Sequence, residues 1–384
     1  MMSLDFWEQK MTVYLDYSAT TPVLPEVADL VYRMMVEEYG NAGSRTHEFG
    51  VNAKRAVELA RHQVAAVVKA DKTEVIFTSG ATESNNLAIL GLREFAENTG
   101  KKHIITSKIE HKAVLEPIAH LEAKGFDVTY LDVAPNGLID TAQLKRSLRE
   151  DTVLVSIMHI NNETGVIQPI SEVCQLLNEH NAYLHVDAAQ SFGKYPFDLE
   201  NTRIDFISVS GHKIYAPKGI GALIMRRRGY IKSPLKPIYF GGGQERGLRP
   251  GTLATPLIAG FGLACEIAMK NADKWFKHVS VLKEEFISTV NKIGGVINGV
   301  NASPYVLNFS IPGINSEAAI VQLKGVIAVS NGSACTSSSY HPSHVLVAMG
   351  MDADRIDGSI RVSFGVCTQQ IPYDNILRHL KALI

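Results

Sequence analysis

The stretch I-S-V-S-G-H-K-I-Y-A-P-K-G-I-G-A, Ile207 to Ala222, decides how this chain is read. An apolar, β-branched run from Ile204 to Val209 stops at Ser210-Gly211-His212-Lys213, and a second apolar run follows a Pro/Gly turn. That pattern is a strand, a polar loop and another strand. Lys213 therefore sits at a strand end, where open α/β sheets gather their chemistry. A lysine so placed can condense with an aldehyde if its surroundings lower its pKa. A lone S-x-H-K reads more simply as a solvated surface lysine. Three other features tip the reading: the acidic strand end at Asp187, the Gly80-Ala81-Thr82 loop and Cys335 in its Ser/Gly frame.

Outward from that stretch, strand and helix patterns alternate. Glu74 to Thr78, His103 to Thr106, Val128 to Leu131, Val153 to Met158 and Tyr183 to Asp187 are short apolar runs. Helical spacing predicts helices over about Pro25–Glu38, 46–69, 113–124 and 171–180. Such alternation predicts an α/β fold with a mostly parallel sheet and helices on both faces. A long helical stretch over about 256–293 is followed by shorter elements, and the domain boundary is placed inside it. The division expected is 14–262 for a large domain and 263–384 for a small α/β one, with residues 1–13 packing nearby and a cysteine loop at 330–342.

The totals agree with two domains: 384 residues, 46% hydrophobic, are long for one average core. A net charge of −1 and an isoelectric point near 6.9 give no overall basic excess, which argues against direct nucleic-acid or membrane partners. The run Arg226-Arg227-Arg228 is a local exception, read as a solvated hairpin end. No apolar run is long enough for a membrane helix, and the N-terminus lacks the pattern of a signal peptide. Cys174, Cys265, Cys335 and Cys367 fit no zinc spacing, so no metal site is expected. Free thiols suit a reducing compartment such as the cytoplasm. Cys174 and Cys265 fall in helical apolar patterns and read as core residues.

Five polar groups follow apolar strands: Thr82, His111, Asn162, Asp187 and Lys213. Strand ends of a parallel sheet share one edge, so these groups can converge. Singly, each has an ordinary explanation, such as a helix cap for Asp187 or a loop histidine for His111. Jointly they make a phosphate cup, an amine, a carboxylate and a planar ring, which is what pyridoxal 5′-phosphate requires. Lys213 would bond the cofactor's aldehyde and Asp187 would pair with the ring nitrogen. Gln190 could reach the ring oxygen and His111 could stack on the ring. Ser210, His212 and Thr82 could hold phosphate, aided by backbone N–H groups where the helix starts after Gly80.

These residues lie in longer motifs: Y-L-D-Y-S-A-T-T-P (14–22), F-T-S-G-A-T-E-S-N-N-L-A (77–88), E-H-K-A-V-L (110–115), S-I-M-H-I-N-N-E-T-G (156–165), H-V-D-A-A-Q (185–190), S-G-H-K-I-Y-A-P-K-G-I-G-A (210–222) and N-G-S-A-C-T-S-S-S (331–339). Across nearly its whole length the chain resembles cysteine desulfurases of the NifS/IscS type, fold-type I enzymes of the class V aminotransferase family. The resemblance implies a seven-stranded large-domain sheet, a pyridoxal-phosphate cofactor, L-cysteine as substrate and a homodimer. It implies cofactor contacts from Ala81, Thr82, His111, Asn162, Asp187, Gln190, Ser210, His212 and Lys213. Thr252, with Gly251, would serve the neighbouring subunit's phosphate site. Asn162 and Arg361 would bind the substrate carboxylate. Lys213, Cys335 and His111 would be catalytic, Cys335 receiving sulfur as a persulfide and passing it to an acceptor protein. A free thiol titrates near about 8.5 and needs a base, such as His111, to attack as thiolate.

The chain departs from the family pattern at Asn331, where a serine is common, at Gln244, where a histidine is frequent, and at its end, Ile384, where housekeeping members carry a scaffold-docking tail. The acceptor could belong to iron–sulfur assembly, tRNA thiolation or DNA phosphorothioation. The short end and the arginine run favour a specialised, acidic acceptor. The rivals are an aminotransferase or selenocysteine lyase of the same fold, and a non-catalytic sulfur-relay scaffold.

Overall fold

The computed structural model describes residues 12–195, 197–229, 233–332 and 342–383. Its centre is a seven-stranded sheet in the order Val75–Thr78, Gly221–Met225, Phe206–Ser210, Tyr183–Asp187, Thr152–Met158, His103–Ser107 and Asp127–Leu131. All strands run parallel except Gly221–Met225, which opposes both neighbours. The tight turn from Lys213 to Gly221 accounts for that reversal, because a short link joins only antiparallel strands.

Successive residues of these strands feed opposite faces of the sheet, as a period of two requires. Ile76, Ile104, Leu154, Phe206 and Leu223 pack on one side with Leu87, Val114 and Ile118. Val75, Phe77, Ile105, Val155, Ile207 and Ile224 pack on the other with Val57, Val64, Phe261 and Ala264. The helices Ala81–Leu90 and Lys112–Glu122 thus cover the first face, and Glu48–Ala66 with the start of Thr255–Asn291 covers the second. Each fully buried aliphatic side chain contributes roughly 1.5–3 kcal/mol. Burial on both faces explains why the strands read as continuous apolar runs.

Polar strand residues are paired across the sheet. His185 bridges Ser156 Oγ at 2.7 Å and Ser208 Oγ at 2.9 Å, one from each neighbouring strand. His103 does the same between Thr152 and Thr129. Burial lowers the pKa of His185 to about 4, so it is a neutral cross-strand tie at physiological pH.

The helix Thr255–Asn291 runs 37 residues, roughly 55 Å at the usual rise. Its second half enters a separate core, with Val279, Leu282, Phe286 and Val290 against Leu307, Phe309, Ile360 and Phe364. That core holds an antiparallel sheet of Ser359–Ser363, Val306–Ser310 and Val296–Ile297, with the helices Ser316–Gln322 and Tyr373–Lys381. Val13–Tyr14 pairs in parallel with Ile327–Ala328, which ties the first described strand to this region. Cys174 and Cys265 are buried core residues, as their helical patterns suggested.

The arginine run is not a solvated hairpin end. Arg226 is buried, and its guanidinium donates to the carbonyls of Val68, Leu199 and Glu200 at 2.6–3.0 Å. It satisfies carbonyls where two helical segments end and lack partners of their own. Arg228 forks onto Asp205 at 2.5 and 2.7 Å, beside Arg203 on the same carboxylate at 2.9 Å. Only Arg227 is exposed. Two of the three charges are consumed internally, which removes the basis for reading the run as a steering patch.

The Gly-rich segment before the long helix is pinned from within. Glu245 and Arg246 adopt positive φ, +45° and +59°, unusual for residues with side chains. Arg61 holds the buried Glu245 carboxylate through two bonds of 2.8 and 2.6 Å, and Phe77 N–H adds a third at 2.7 Å. Removing one partner of such a buried pair typically costs about 3–5 kcal/mol, so the strain is well supported.

Candidate active site

The carboxyl ends of the parallel strands open on one cavity of about 900 Å³. Ala81, Thr82, His111, Asn162, Asp187, Gln190, Ser210, His212, Lys213 and Arg361 all line it, together with Asp16, Asn85, Ser330 and Gly332. Thr252 does not line it and is exposed. Cys335 lies outside the described residues.

Lys213 follows the strand Phe206–Ser210 by a single 3-10 turn. Its amine donates to the Ser18 carbonyl and, at 2.8 Å, to the Ala19 carbonyl. Burial lowers its pKa to about 8, and the nearby Arg361 adds to this while Asp16 and Asp187 oppose it. The amine is thus far easier to deprotonate than an ordinary lysine.

Asp187 ends the strand Tyr183–Asp187 and is 5% exposed. Its oxygens accept from Asn85 Nδ2 at 2.8 Å and from the Ala189 N–H at 2.9 Å. Both partners are neutral, so among the described residues this buried carboxylate at the cavity has no hydrogen-bonded cation. A buried charge is costly until it is paired, which suits a cationic ring nitrogen. Gln190 donates to the Ser18 carbonyl at 2.9 Å, so one backbone oxygen receives both Gln190 and Lys213.

The turn before helix Ala81–Leu90 requires glycine. Gly80 has φ +154°, and a Cβ on the facing Gly221 would lie 2.6 Å from the Gly80 Cα. The helix consequently starts at the cavity wall, with Ala81 and Thr82 lining it. Backbone N–H groups and dipole there favour an anion. Glu83, on the same turn, accepts from Ser79 N–H at 2.7 Å and pairs with Arg249 at 2.9 Å. Burial works against its charge, yet Arg249 and Ser79 hold its carboxyl below the usual range. His212, across the cup, contacts Thr20 Oγ1 at 3.1 Å. Burial and then Lys213 lower its pKa to about 4.

His111 caps the helix Lys112–Glu122, its Nδ1 accepting the Ala113 N–H at 3.1 Å. Burial lowers its pKa, with Asp187 opposing and Lys213 assisting. The neutral ring therefore carries its hydrogen on Nε2 and offers the cavity a donor. Acting as a base for a thiol would require the Ala113 contact to break.

Arg361, 6% exposed, donates to Asn162 O at 3.0 Å and to Asp16 Oδ1 at 2.7 Å. Among the described residues its buried Nε has no hydrogen-bond partner. A guanidinium has five N–H donors, so capacity remains for a carboxylate.

Sequence reasoning missed several supporting groups. Asn85 lies three residues after Thr82, so one helix both meets the anion end of the cavity and fixes Asp187. Asp16 stands within Y-L-D-Y-S-A-T-T-P, where nothing local marks it as the partner of Arg361. Lys194 is buried, with its Nζ 5.5 Å from the Tyr305 ring centre, and burial, with Lys213 nearby, lowers its pKa to about 7. Glu110 is fully buried, accepting from Ser107 Oγ at 2.6 Å and Met158 N–H at 2.9 Å, and burial raises its pKa to about 8.

Comparison with known proteins identifies the family. Residues 13–372 match the family model for aminotransferase class-V. The chain is 46% identical over 380 residues to the cysteine desulfurase IscS of Vibrio campbellii, covering 98% of this chain and 93% of the relative. It resembles the crystal structure of DndA from Streptomyces lividans at 51% identity with a TM-score of 0.81, covering 92% and 99% of the two chains. It also resembles SspA in complex with cysteine at 39% identity with a TM-score of 0.80, again covering 92% and 99%. With a family-model match over residues 13–372 and relatives this similar over nearly the full chain, this protein belongs to the class V aminotransferase family of fold-type I, within its NifS/IscS-type cysteine desulfurases.

Proposed function

We propose that the chain removes sulfur from L-cysteine with pyridoxal 5′-phosphate, giving L-alanine and a persulfide on Cys335. The observation that carries this reading is the pairing, on one cavity, of a buried Asp187 with only neutral hydrogen-bond partners and a Lys213 amine that is easily deprotonated. The carboxylate suits a protonated ring nitrogen, and the amine suits an aldehyde. The Gly80 turn, Thr82, Ser210 and His212 supply a phosphate end. When bound, the cofactor stores the electron pair released at the substrate's Cα.

The chain's own groups do the rest. Asn162 and Arg361 receive the substrate carboxylate. Lys213 takes the proton from Cα. His111 stacks on the ring and offers Nε2–H. The Cys335 thiolate attacks the substrate sulfur: an S–S bond forms, the C–S bond breaks, and the carbon fragment is protonated and leaves as alanine. Cysteine plus enzyme thiol therefore equals alanine plus enzyme persulfide, with no outside oxidant. The persulfide then passes to an acceptor protein. In this reading, residues 14–262 form the cofactor-binding domain and 263–384 the small domain that brings Arg361 and Cys335. Thr252, exposed on this chain, would serve the phosphate site of a second copy in a homodimer. The solved relative in complex with cysteine supports the choice of substrate.

The test is to incubate the cofactor-loaded protein with L-cysteine and measure alanine and keto acid separately. Alanine in step with a persulfide mapped to the Cys335 peptide is expected. Keto acid without alanine would instead indicate a transaminase.

Two substitutions probe the site further. Asp187→Asn should slow removal of the Cα proton by on the order of 10²-fold, because the ring nitrogen loses its counter-charge. The measurement is the Cα-deuterium exchange rate at matched cofactor occupancy, and wild-type exchange would refute the role. Arg361→Ala should raise the KM for cysteine by about tenfold or more, the loss of a charge-assisted pair of hydrogen bonds. An unchanged KM would leave Arg361 with only its tie between Asp16 and Asn162.

A further inference from the structure

Glu110 is fully buried and stands one residue before His111, in the loop that leaves strand His103–Ser107 and enters helix Lys112–Glu122. The ladder between that strand and Thr152–Met158 ends at Thr106 and Ser156. Beyond it the first strand turns away, and a side chain supplies what its backbone no longer does. Glu110 Oε1 accepts the Met158 N–H at 2.9 Å and Ser107 Oγ at 2.6 Å. One oxygen thus ties the two strand ends together. A buried N–H is costly to leave unpaired, so this contact has reason to persist.

The loop is also tied through its backbone. Asn161 Nδ2 donates to the Ile109 carbonyl at 3.1 Å. His344 Nε2 is 2.9 Å from the Glu110 carbonyl, which can only accept, so Nε2 carries a hydrogen. The other ring nitrogen of His344 faces the buried Glu163 carboxyl at 4.0 Å. His111 itself is held lightly: its Nδ1 accepts the Ala113 N–H at 3.1 Å, and the residue is exposed at the cavity. Where the imidazole sits is therefore set by the backbone before it.

The Glu110 carboxyl suits this task as a neutral group. Burial raises its pKa to about 8, with Ser107 and Met158 opposing and Asp187 adding. At neutral pH it keeps its proton, and Oε2, which has no hydrogen-bond partner among the described residues, is the oxygen left to bear it. A neutral Glu110 adds no second negative charge near Asp187, the group that faces the ring nitrogen.

We propose that Glu110 is a positioning residue, its carboxyl fastening the loop before His111 to the end of strand Thr152–Met158 and so fixing the imidazole at the cavity. The proposal rests on the reading above that His111 stacks on the cofactor ring. Glu110 is not among the groups that line the cavity, so its effect passes through His111.

The test compares wild type, Glu110→Gln, which keeps an oxygen acceptor in place, and Glu110→Leu, which keeps the bulk and removes the acceptor. Three quantities are read: the induced circular dichroism of the bound cofactor; KM and the Cα-deuterium exchange rate at saturating cysteine; and amide hydrogen exchange over 107–116 in the protein as isolated. In Glu110→Leu the Cα exchange should slow about 10- to 100-fold, the scale for misplacing a group by about 1 Å, while KM stays within a few-fold. The cofactor's dichroism should weaken, and the 107–116 amides should exchange faster than the rest of the sheet. Glu110→Gln should stay close to wild type in all three. In a His111→Ala background, Glu110→Leu should slow Cα exchange by less than about twofold further, because both changes act on one group. An equal loss in both backgrounds would overturn the proposal, as would a Glu110→Gln as slow as Glu110→Leu, or wild-type behaviour in Glu110→Leu. If Glu110→Leu fails to fold, Ser107→Ala decides: it should slow Cα exchange several-fold with His111 present and not without it, and no slowing would overturn the proposal. A wild type that neither exchanges the Cα hydrogen nor releases alanine would overturn the desulfurase reading, and amide exchange over 107–116 would still decide the clamp.

Discussion

Lys213→Ala is expected to lower alanine release from L-cysteine by about 10³-fold or more, within the range for removing a positioned proton-transfer group. The absorption of a lysine-linked cofactor should vanish with it. The reason lies in how the amine is held. Two backbone carbonyls, of Ser18 and Ala19, receive its hydrogens, and burial with Arg361 brings its pKa from 10.5 to about 8. As a base the amine must be neutral. The rate limited by this group should therefore fall as pH drops below about 8, and it should level off above, where an ordinary lysine would still be charged. A pre-steady-state pH profile of Cα–H removal measures this directly. Retained turnover in Lys213→Ala with an unchanged visible spectrum would reassign the base.

Cys335→Ser should bring persulfide and alanine formation to background while leaving the spectral response to cysteine intact. A serine oxygen has no persulfide to form, and it is a far weaker nucleophile than a thiolate. The other cysteines are poor substitutes. Cys174 and Cys265 are 2% and 0% exposed, and burial pushes the Cys265 thiol well above its ordinary pKa. Cys367 is exposed, but burial of its thiol also raises its pKa. Mass mapping after cysteine treatment decides the matter, and a persulfide on the Cys367 peptide in Cys335→Ser would relocate the nucleophile.

The sheet and its strand-end cavity were legible because both follow from local patterning. Apolar runs stop at polar residues, and a parallel sheet has one carboxyl edge, so the sequence alone places Lys213, Asp187 and His111 together. What stayed hidden depends on non-local closure. Nothing in R-R-R says that the Val68, Leu199 and Glu200 carbonyls converge on Arg226, or that Asp205 awaits Arg228. Asn85 looked like any polar helix residue until its face of the helix was known. Glu110 and Glu163 stood inside quoted motifs, yet a carboxylate reads as exposed unless its burial is visible. Helix ends also moved: 171–180 contracted to Ile170–Leu176, since the turn that follows is held by tertiary contacts.

The contact between Arg361 and Asp16 joins residues 345 positions apart, and Lys213 leans on carbonyls 195 and 194 positions away. During synthesis the chain acquires Lys213 and Asp187 long before Arg361 exists to neutralise Asp16. Contacts of such separation form late, because loop closure must precede any gain from them. A growing chain can thus assemble the central sheet while the Arg361–Asp16 side of the cavity is still unmade. The Arg361–Asp16 wall of the cavity therefore closes only after residues near both ends of the chain have been made.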